Sequence, residues 1–367
     1  MKIMNTPRTV DLQITGRCNL RCTYCSHFTS GGDTGEDLPA GDWLTFFEEL
    51  GRYGVMDVCL QGGEPFCRTD LKEIIGGIIK NRMRFSVLTN GTLITDEMAR
   101  FLASTGRCNS VQVSIDGADR FTHDTFRGAG SFRRAVEGLK TLTKHGIATA
   151  VRVTIHRQNV HDLANVARLL LEDFGLPEFS TNAASHLGLC RKNAAQVQLT
   201  AQERSLAMKS LLELSRKYGG RIAAQAGPLA EAREWLRIER SCEDGTEPDP
   251  DRGFLTGCGG PMTKMGIRAD GIMVACSQLP DLALGRINGD DLKDVWLNHP
   301  ELNRFRNRRE IPLDAFAFCR GCPYIRHCTG NCPALAYTML HDAWHPSPDA
   351  CLRNFLVSGG TLPTFAE

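Results

Sequence analysis

An excess of charge of either sign is missing from this sequence: Lys+Arg 43 stand against Asp+Glu 42 over 367 residues, a formal net charge of +1. Proteins that bind duplexes or RNA carry a basic excess, so the balance argues against a nucleic-acid partner. Also missing is any segment near the roughly 18 consecutive apolar residues of a membrane span. The start, Met1 to Val10, is polar and has no apolar centre of the signal-peptide kind. A cytoplasmic protein that works without a membrane is the expectation. The one basic cluster, Arg304, Arg306, Arg308 and Arg309, sits in a helix-like stretch and reads as a solvated helix face.

What the sequence has in quantity is cysteine, 15 residues of it. The cytosol keeps thiols reduced and disfavours a disulfide framework, so this many thiols there points to metal. The apolar fraction of 42% and the charged fraction of 23% are those of a globular chain, long enough for two ordinary domains.

The first 235 or so residues alternate strand-like and helix-like runs. Strands are expected over Thr9–Thr15, Val55–Leu60, Phe85–Thr89, Ser110–Ile115, Ala148–Thr154 and Glu178–Asn182. Among the amphipathic helices, the clearest follows Asp70 as N-cap, with Leu71, Ile74, Ile75, Ile78 and Ile79 on one face. Another starts at Ser131, and the last of this region spans about Ala201–Tyr218. Six βα repeats demand parallel strands with right-handed crossovers and fall short of a closed eight-fold barrel. The expectation is a partial (β/α)6 TIM-type barrel over 1–235, a Pro- and Gly-rich linker over 236–257, a cysteine-rich domain over 258–355 and a tail over 356–367.

Directly after the first strand comes Cys18-Asn-Leu-Arg-Cys22-Thr-Tyr-Cys25, a C-x3-C-x2-C loop. Three thiolates on a short loop can hold three irons of a [4Fe–4S] cube and leave the fourth iron open. Zinc is the alternative, but it takes four ligands in paired spacing, and only His27 lies nearby. Gly62-Gly63-Glu64-Pro65, Asn90-Gly91 and Asp116-Gly117 each fall just past a different expected strand. In parallel βα folds that is the face where ligands bind.

With these motifs the sequence resembles the radical S-adenosylmethionine (SAM) superfamily, whose hallmark is this cysteine loop with an aromatic residue before the last cysteine, here Tyr24. The resemblance implies a SAM site in which Gly62, Gly63, Glu64 and Pro65 receive the amino group. Asn90 would lie on the adenine side, Ser114 and Asp116 near the ribose, and Arg152 would bind the carboxylate. It also implies reductive cleavage of SAM to methionine and a 5′-deoxyadenosyl radical that takes hydrogen from the substrate. A scaffold protein whose clusters never cleave SAM would need neither Gly62–Pro65 nor an open three-cysteine loop.

From Gly257 on, seven cysteines fall within 95 residues: Cys258, Cys276, then Cys319-x2-Cys322-x5-Cys328-x3-Cys332, and Cys351. With Gly271 ahead of Cys276 this resembles the SPASM domain of radical SAM peptide and protein maturases; a zinc ribbon is the alternative for the central four. The resemblance implies two auxiliary [4Fe–4S] clusters, hence three in all. One would be held by Cys258, Cys276 and Cys332, the other by Cys319, Cys322, Cys328 and Cys351. The first set is one thiolate short, and Cys242 is expected to complete it. Cys59, Cys67 and Cys108 read as buried small hydrophobes. Cys190 is the candidate hydrogen donor should the enzyme be an epimerase.

Sulfatase maturases place Asp directly after the cysteine matching Cys276; here that residue is Ser277, which argues against that activity. The runs Leu60–Cys67 and Cys328–Ala336 resemble maturases of the SynChlorMet cassette. That implies a ribosomally made peptide substrate, oxidised and crosslinked, with a small-molecule substrate as the alternative. Expected partners are a precursor peptide, a separate small leader-recognition protein, and an electron donor such as flavodoxin or ferredoxin.

Overall fold

The computed structural model describes residues 3–27 and 36–364. Seven strands run parallel in sequence order: β1 (Thr9–Thr15), β2 (Asp57–Gly62), β3 (Arg84–Thr89), β4 (Cys108–Ser114), β5 (Thr149–Ile155), β6 (Phe179–Ala183) and β7 (Ile222–Ala224). Helices α1 (Ala40–Arg52), α2 (Leu71–Lys80), α3 (Asp96–Ser104), α4 (Arg120–Arg127), α5 (Ser131–Lys144) and α6 (Leu163–Arg168) cross over between them. The partial barrel is therefore present. Its seventh strand is three residues long, too short for any alternation to register.

One strand face carries Val10, Leu12 and Ile14, all fully buried against the helices. The other carries Asp11 and Gln13, next to Cys59 and Gln61 of β2. Strand side chains alternate between faces, so the inner wall of this barrel is polar throughout its β1–β2 sector. Such a lumen has to be filled by ligands and water rather than by packed Val and Ile. Cys59, expected in the core, lies on this inner wall, where Asp11, Lys264 and Arg152 act on it.

The sheet does not stop where the cysteine-rich region begins. β8 (Lys264–Ile267) pairs parallel with β1, Thr9 opposite Lys264 and Leu12 opposite Ile267. The antiparallel strands β9 (Ile272–Val274) and β10 (Ala283–Arg286) follow, so the sheet reads β10-β9-β8-β1-β2-β3-β4-β5-β6-β7. Between β6 and this edge lie α7 (Gly188–Lys192), α8 (Ala194–Val197), α9 (Ala201–Lys217) and α10 (Pro228–Glu243). The first part of the expected linker is thus helix: α10 opens on Pro at its first position and buries Leu229, Ala232, Trp235 and Ile238. The C-terminal region adds α11 (Gly260–Thr263), α12 (Leu292–Asn298), α13 (Pro300–Asn307), α14 (Pro333–Leu340) and α15 (Leu352–Val357).

Two local expectations change. Asp70 makes no cap bond to α2; its carboxylate holds Arg68, whose buried guanidinium donates to the carbonyls of Ile14 and Leu38. The Arg304–Arg309 run is not a solvated face: Arg306 is 5% exposed and Arg308 3%. Among the described residues no helix is long and apolar enough to cross a membrane.

Candidate active site

The cysteine loop leaves β1 over Gly16 and Arg17 and is clamped there by β2. The Gly63 N–H donates to the Thr15 carbonyl and the Glu64 N–H to that of Arg17, both at 2.8 Å. A Cβ on Gly63 would stand 2.1 Å from the Arg17 oxygen, and one on Gly62 2.3 Å from that of Thr15. The Gly-Gly pair is therefore required by close backbone approach, whatever it also binds.

Glu64 faces inward. Its fully buried carboxylate accepts from the Thr89 hydroxyl and the Asn90 N–H, each at 2.7 Å, and from the Phe66 N–H at 3.2 Å. Burial pushes this carboxyl up to about 7 against those three donors. The side chain thus binds β2 to the end of β3, and Pro65 starts the short helical turn that follows. Asn90 in turn donates to the Asn19 side chain at 2.9 Å and approaches the Cys18 sulfur at 3.8 Å. Asn19 reaches Thr92. Neither Asn19 nor Thr92 stands out in the sequence.

Behind the loop lies a buried polar group. One oxygen of Asp116 takes both the Tyr24 hydroxyl and the Arg127 Nε, the latter at 2.5 Å; the other accepts from the Thr154 N–H at 2.7 Å. Burial opposes ionisation of Asp116, yet the Arg127 guanidinium outweighs it and holds the carboxyl below its usual range. Both carboxylate oxygens thus have partners inside the protein, and Asp116 is fully buried. Asn159 bonds the Asp116 and Thr154 carbonyls at 2.8 Å. The His156 ring tilts over Tyr24 at 5.2 Å and meets Phe126 edge-on at 4.7 Å. Desolvation pushes both His123 and His156 down to about 4, so both rings are neutral at pH 7. Arg127, His123, His156 and Asn159 carry no motif in the sequence; only their place around Asp116 marks them.

Ser114 and Arg152 are register partners on β4 and β5, and Arg152 is likewise opposite Ser180 on β6. Arg152 reaches the Ser180 hydroxyl only at 3.4 Å. Cys190 is fully buried on α7 with Tyr24 and Val197 and accepts from Gln198 at 3.8 Å. It is not among the residues that line the large cavity described below, so a hydrogen donor to substrate is not what this packing provides.

Among the described residues no three Cys, His, Asp or Glu side chains converge on a single-ion site. The donors suit a larger iron–sulfur body. At Cys18, Cys258, Cys276 and Cys328 the N–H two residues on donates to the sulfur at 3.4 Å. Such bonds favour the thiolate, the form that ligates metal, although burial, with neighbouring thiols and carboxylates adding to it, still pushes Cys18 and Cys276 up to about 12.

Cys258, Cys276 and Cys332 come together, each within electrostatic reach of another. Asp11 of the barrel wall also acts on Cys276. Cys319, Cys322, Cys328 and Cys351 line a separate small cavity together. Cys242 does not join the first set. It ends α10 exposed to solvent, its sulfur 4.0 Å from the Pro323 carbonyl, and the charges acting on it are Glu239, Cys322 and Glu243. Helix α10, which takes up the first part of the expected linker, carries it to the other cysteine group. Replacing Cys242 by Ser is accordingly expected to leave iron content unchanged and stability within about 0.5 kcal/mol, as for a surface site. Iron analysis and urea unfolding check this; loss of about four irons would return Cys242 to the ligand set.

A cavity of about 640 Å³ opens between the two halves of the site. Gly16, Ser26 and His27 border it from the cysteine loop, Arg191 and Lys192 from α7, and Ser277 from the segment after Cys276. A second, of about 420 Å³, lies between the ends of β6 and β7, α10 and Cys332.

Residues 12–170 match the family model of the radical SAM superfamily, and residues 258–323 that of SPASM, an iron–sulfur cluster-binding domain. The chain is 26% identical over 361 residues to an AdoMet-dependent heme synthase of Methanosarcina barkeri, covering 95% of this chain and 97% of that protein. It is also 26% identical over 361 residues to a PqqA peptide cyclase of Methylocella silvestris, covering 95% and 90%. Its fold is similar to that of SuiB from Streptococcus suis bound to S-adenosylmethionine, with a TM-score of 0.72 at 17% identity over 95% of this chain and 78% of that one.

Proposed function

Because this chain is a radical SAM enzyme with a SPASM domain, we propose that it oxidises a ribosomally made peptide and closes a crosslink within it. The observation that carries this reading is the cavity of about 640 Å³, bordered on one side by the cysteine loop and on the other by the segment after Cys276. A peptide segment seated there would touch both ends of the chemistry.

In this reading Cys18, Cys22 and Cys25 hold the SAM cluster, whose bound chemistry is one-electron cleavage of SAM to a 5′-deoxyadenosyl radical. The backbone of Gly62–Glu64 receives the SAM amino group, in the place where β2 is pressed onto the cysteine loop. Glu64 keeps that segment aligned with Asn90 on the adenine side. Ser114 and Arg152 face the lumen from adjacent strands, and Arg152, which forms no ion pair with a carboxylate among the described residues, is suited to the SAM carboxylate. Asp116 acts at one remove by holding Tyr24 and Arg127. The walls of the cavity exclude water from the substrate while hydrogen is taken.

Two further clusters, on Cys258, Cys276 and Cys332 and on Cys319, Cys322, Cys328 and Cys351, give the electron left on the substrate a way out. That favours net oxidation. A leader-recognition protein and a flavodoxin or ferredoxin complete the system. A second reading follows from the heme synthase relative, which matches as much of the chain as the peptide cyclase does: the substrate is then a tetrapyrrole.

Co-expression with a candidate precursor peptide decides between them by mass spectrometry. The expected product has lost two hydrogens per modification, with 5′-deoxyadenosine formed alongside. An unchanged mass with one inverted centre would make the enzyme an epimerase, and turnover of an iron porphyrin with none of the peptide would establish the second reading.

A further inference from the structure

Arg308 follows α13 and is 3% exposed, and its Nε and one of its Nη atoms have no hydrogen-bond partner. A guanidinium cannot shed its charge in a protein, so burying one without a partner costs several kcal/mol. Its neighbour Arg306, which lines a cavity with it, is better satisfied, with one Nη left over. Arg306 donates to the carbonyls of Pro261 at 3.1 Å and Trp296 at 2.6 Å, and its guanidinium lies 4.4 Å from the centre of the Trp296 ring.

Cysteine thiols lie within electrostatic reach of Arg308. It lines a cavity of about 120 Å³ together with Cys258, and the groups that act on its charge are Cys258, Cys332 and, among the described carboxylates, Asp342. The other cysteine group also has an arginine beside it, but there Arg353 spends its donors on the carbonyls of Phe318 and Arg320. Among the described residues only the first group faces a buried guanidinium with donors to spare.

We infer that Arg308 is the counter-cation of the iron–sulfur group on Cys258, Cys276 and Cys332, donating N–H to its sulfurs and raising its reduction potential. The inference rests on the reading that these three cysteines hold such a group. Taking up one electron makes that group more negative by one charge. A fixed cation at its edge, in a site closed to water, therefore stabilises the reduced form over the oxidised one. Arg308 is a positioning residue for electron transfer and touches no reacting atom of the substrate.

The test is an EPR-monitored redox titration of the reconstituted full chain, with iron analysis. Arg308→Met with its iron intact is expected to lower the reduced-to-oxidised ratio of one group about tenfold or more at a fixed potential, a shift of about 59 mV for one electron. The other two groups stay unchanged, and Arg308→Lys regains part of the shift. Unchanged potentials in Arg308→Met overturn the inference. If Arg308→Met loses iron, Arg308→Lys is read instead: iron retained at a potential below that of the wild type supports the inference, and iron retained at an unchanged potential, or lost from both variants, overturns it. A Cys258/Cys276/Cys332→Ala variant that keeps all the wild-type iron would overturn the underlying reading, and this inference with it.

Discussion

Replacing Cys18, Cys22 and Cys25 together by Ala is expected to abolish formation of 5′-deoxyadenosine and to lower bound iron from about 12 to about eight per chain. The two effects come from one cause. In the proposed reading these thiols are the ligands offered by the loop, and without them no cluster with an open iron can form there. The other two cysteine groups lie in the C-terminal region and should keep their iron. Because the loop is anchored by backbone bonds from Gly63 and Glu64 and not by its thiols, the variant should fold. Iron and sulfide analysis after anaerobic reconstitution, with dithionite-driven SAM turnover, checks both halves. Stoichiometric zinc with iron near four in the wild type would remove the auxiliary clusters from the account. Residual 5′-deoxyadenosine in the triple variant would remove the SAM cluster from this loop.

The second large effect is expected at Arg127. Its guanidinium and the Asp116 carboxylate form an ion pair in which both side chains are more than nine-tenths buried. Removing one partner of such a pair leaves a charge stranded out of water, at a cost of about 3–5 kcal/mol. Arg127→Met should therefore lose that much in urea unfolding. The double variant with Asp116→Asn should recover part of it, since neither charge remains. The pH dependence also changes sign. In the wild type the Asp116 carboxyl titrates below its usual range. The unfolded chain then binds more protons, so the pair's contribution is present above about pH 3.9 and lost as pH falls through the lower folded value. In Arg127→Met, desolvation loses its main opponent and raises the carboxyl, so the variant regains stability as pH falls towards the acid range. Activity should fall as well, because Asp116 and Arg127 hold Tyr24 between Cys22 and Cys25. A loss below about 1 kcal/mol would show the pair to be dispensable.

The motifs of this chain were legible because each is local. Cys18–Cys25, Gly62–Pro65 and Asn90–Gly91 are short runs at strand ends, and the alternating apolar residues of β1 to β6 announce the strands that carry them. Periodicity also separated the helices, since an amphipathic face repeats within a few residues. Those signals by themselves determined a parallel barrel with one ligand-binding face and a cysteine-rich region behind it. The partnerships between distant residues were left to the tertiary structure. Arg127, His156 and Asn159 matter because α4 and the segment after β5 fold around Asp116, and no spacing in the chain records that. Cys242 could not be assigned by its distance along the chain from Cys258: it lies in the last turn of α10, and that helix carries it to Cys322. Arg306 and Arg308 look like solvated charges in sequence, because composition reports charge and not what covers it. β8 joins β1 across more than 250 residues, a pairing set by long-range packing. Local order follows from side-chain pattern. Burial and the pairing of charges depend on which surfaces meet, and only the folded chain decides that.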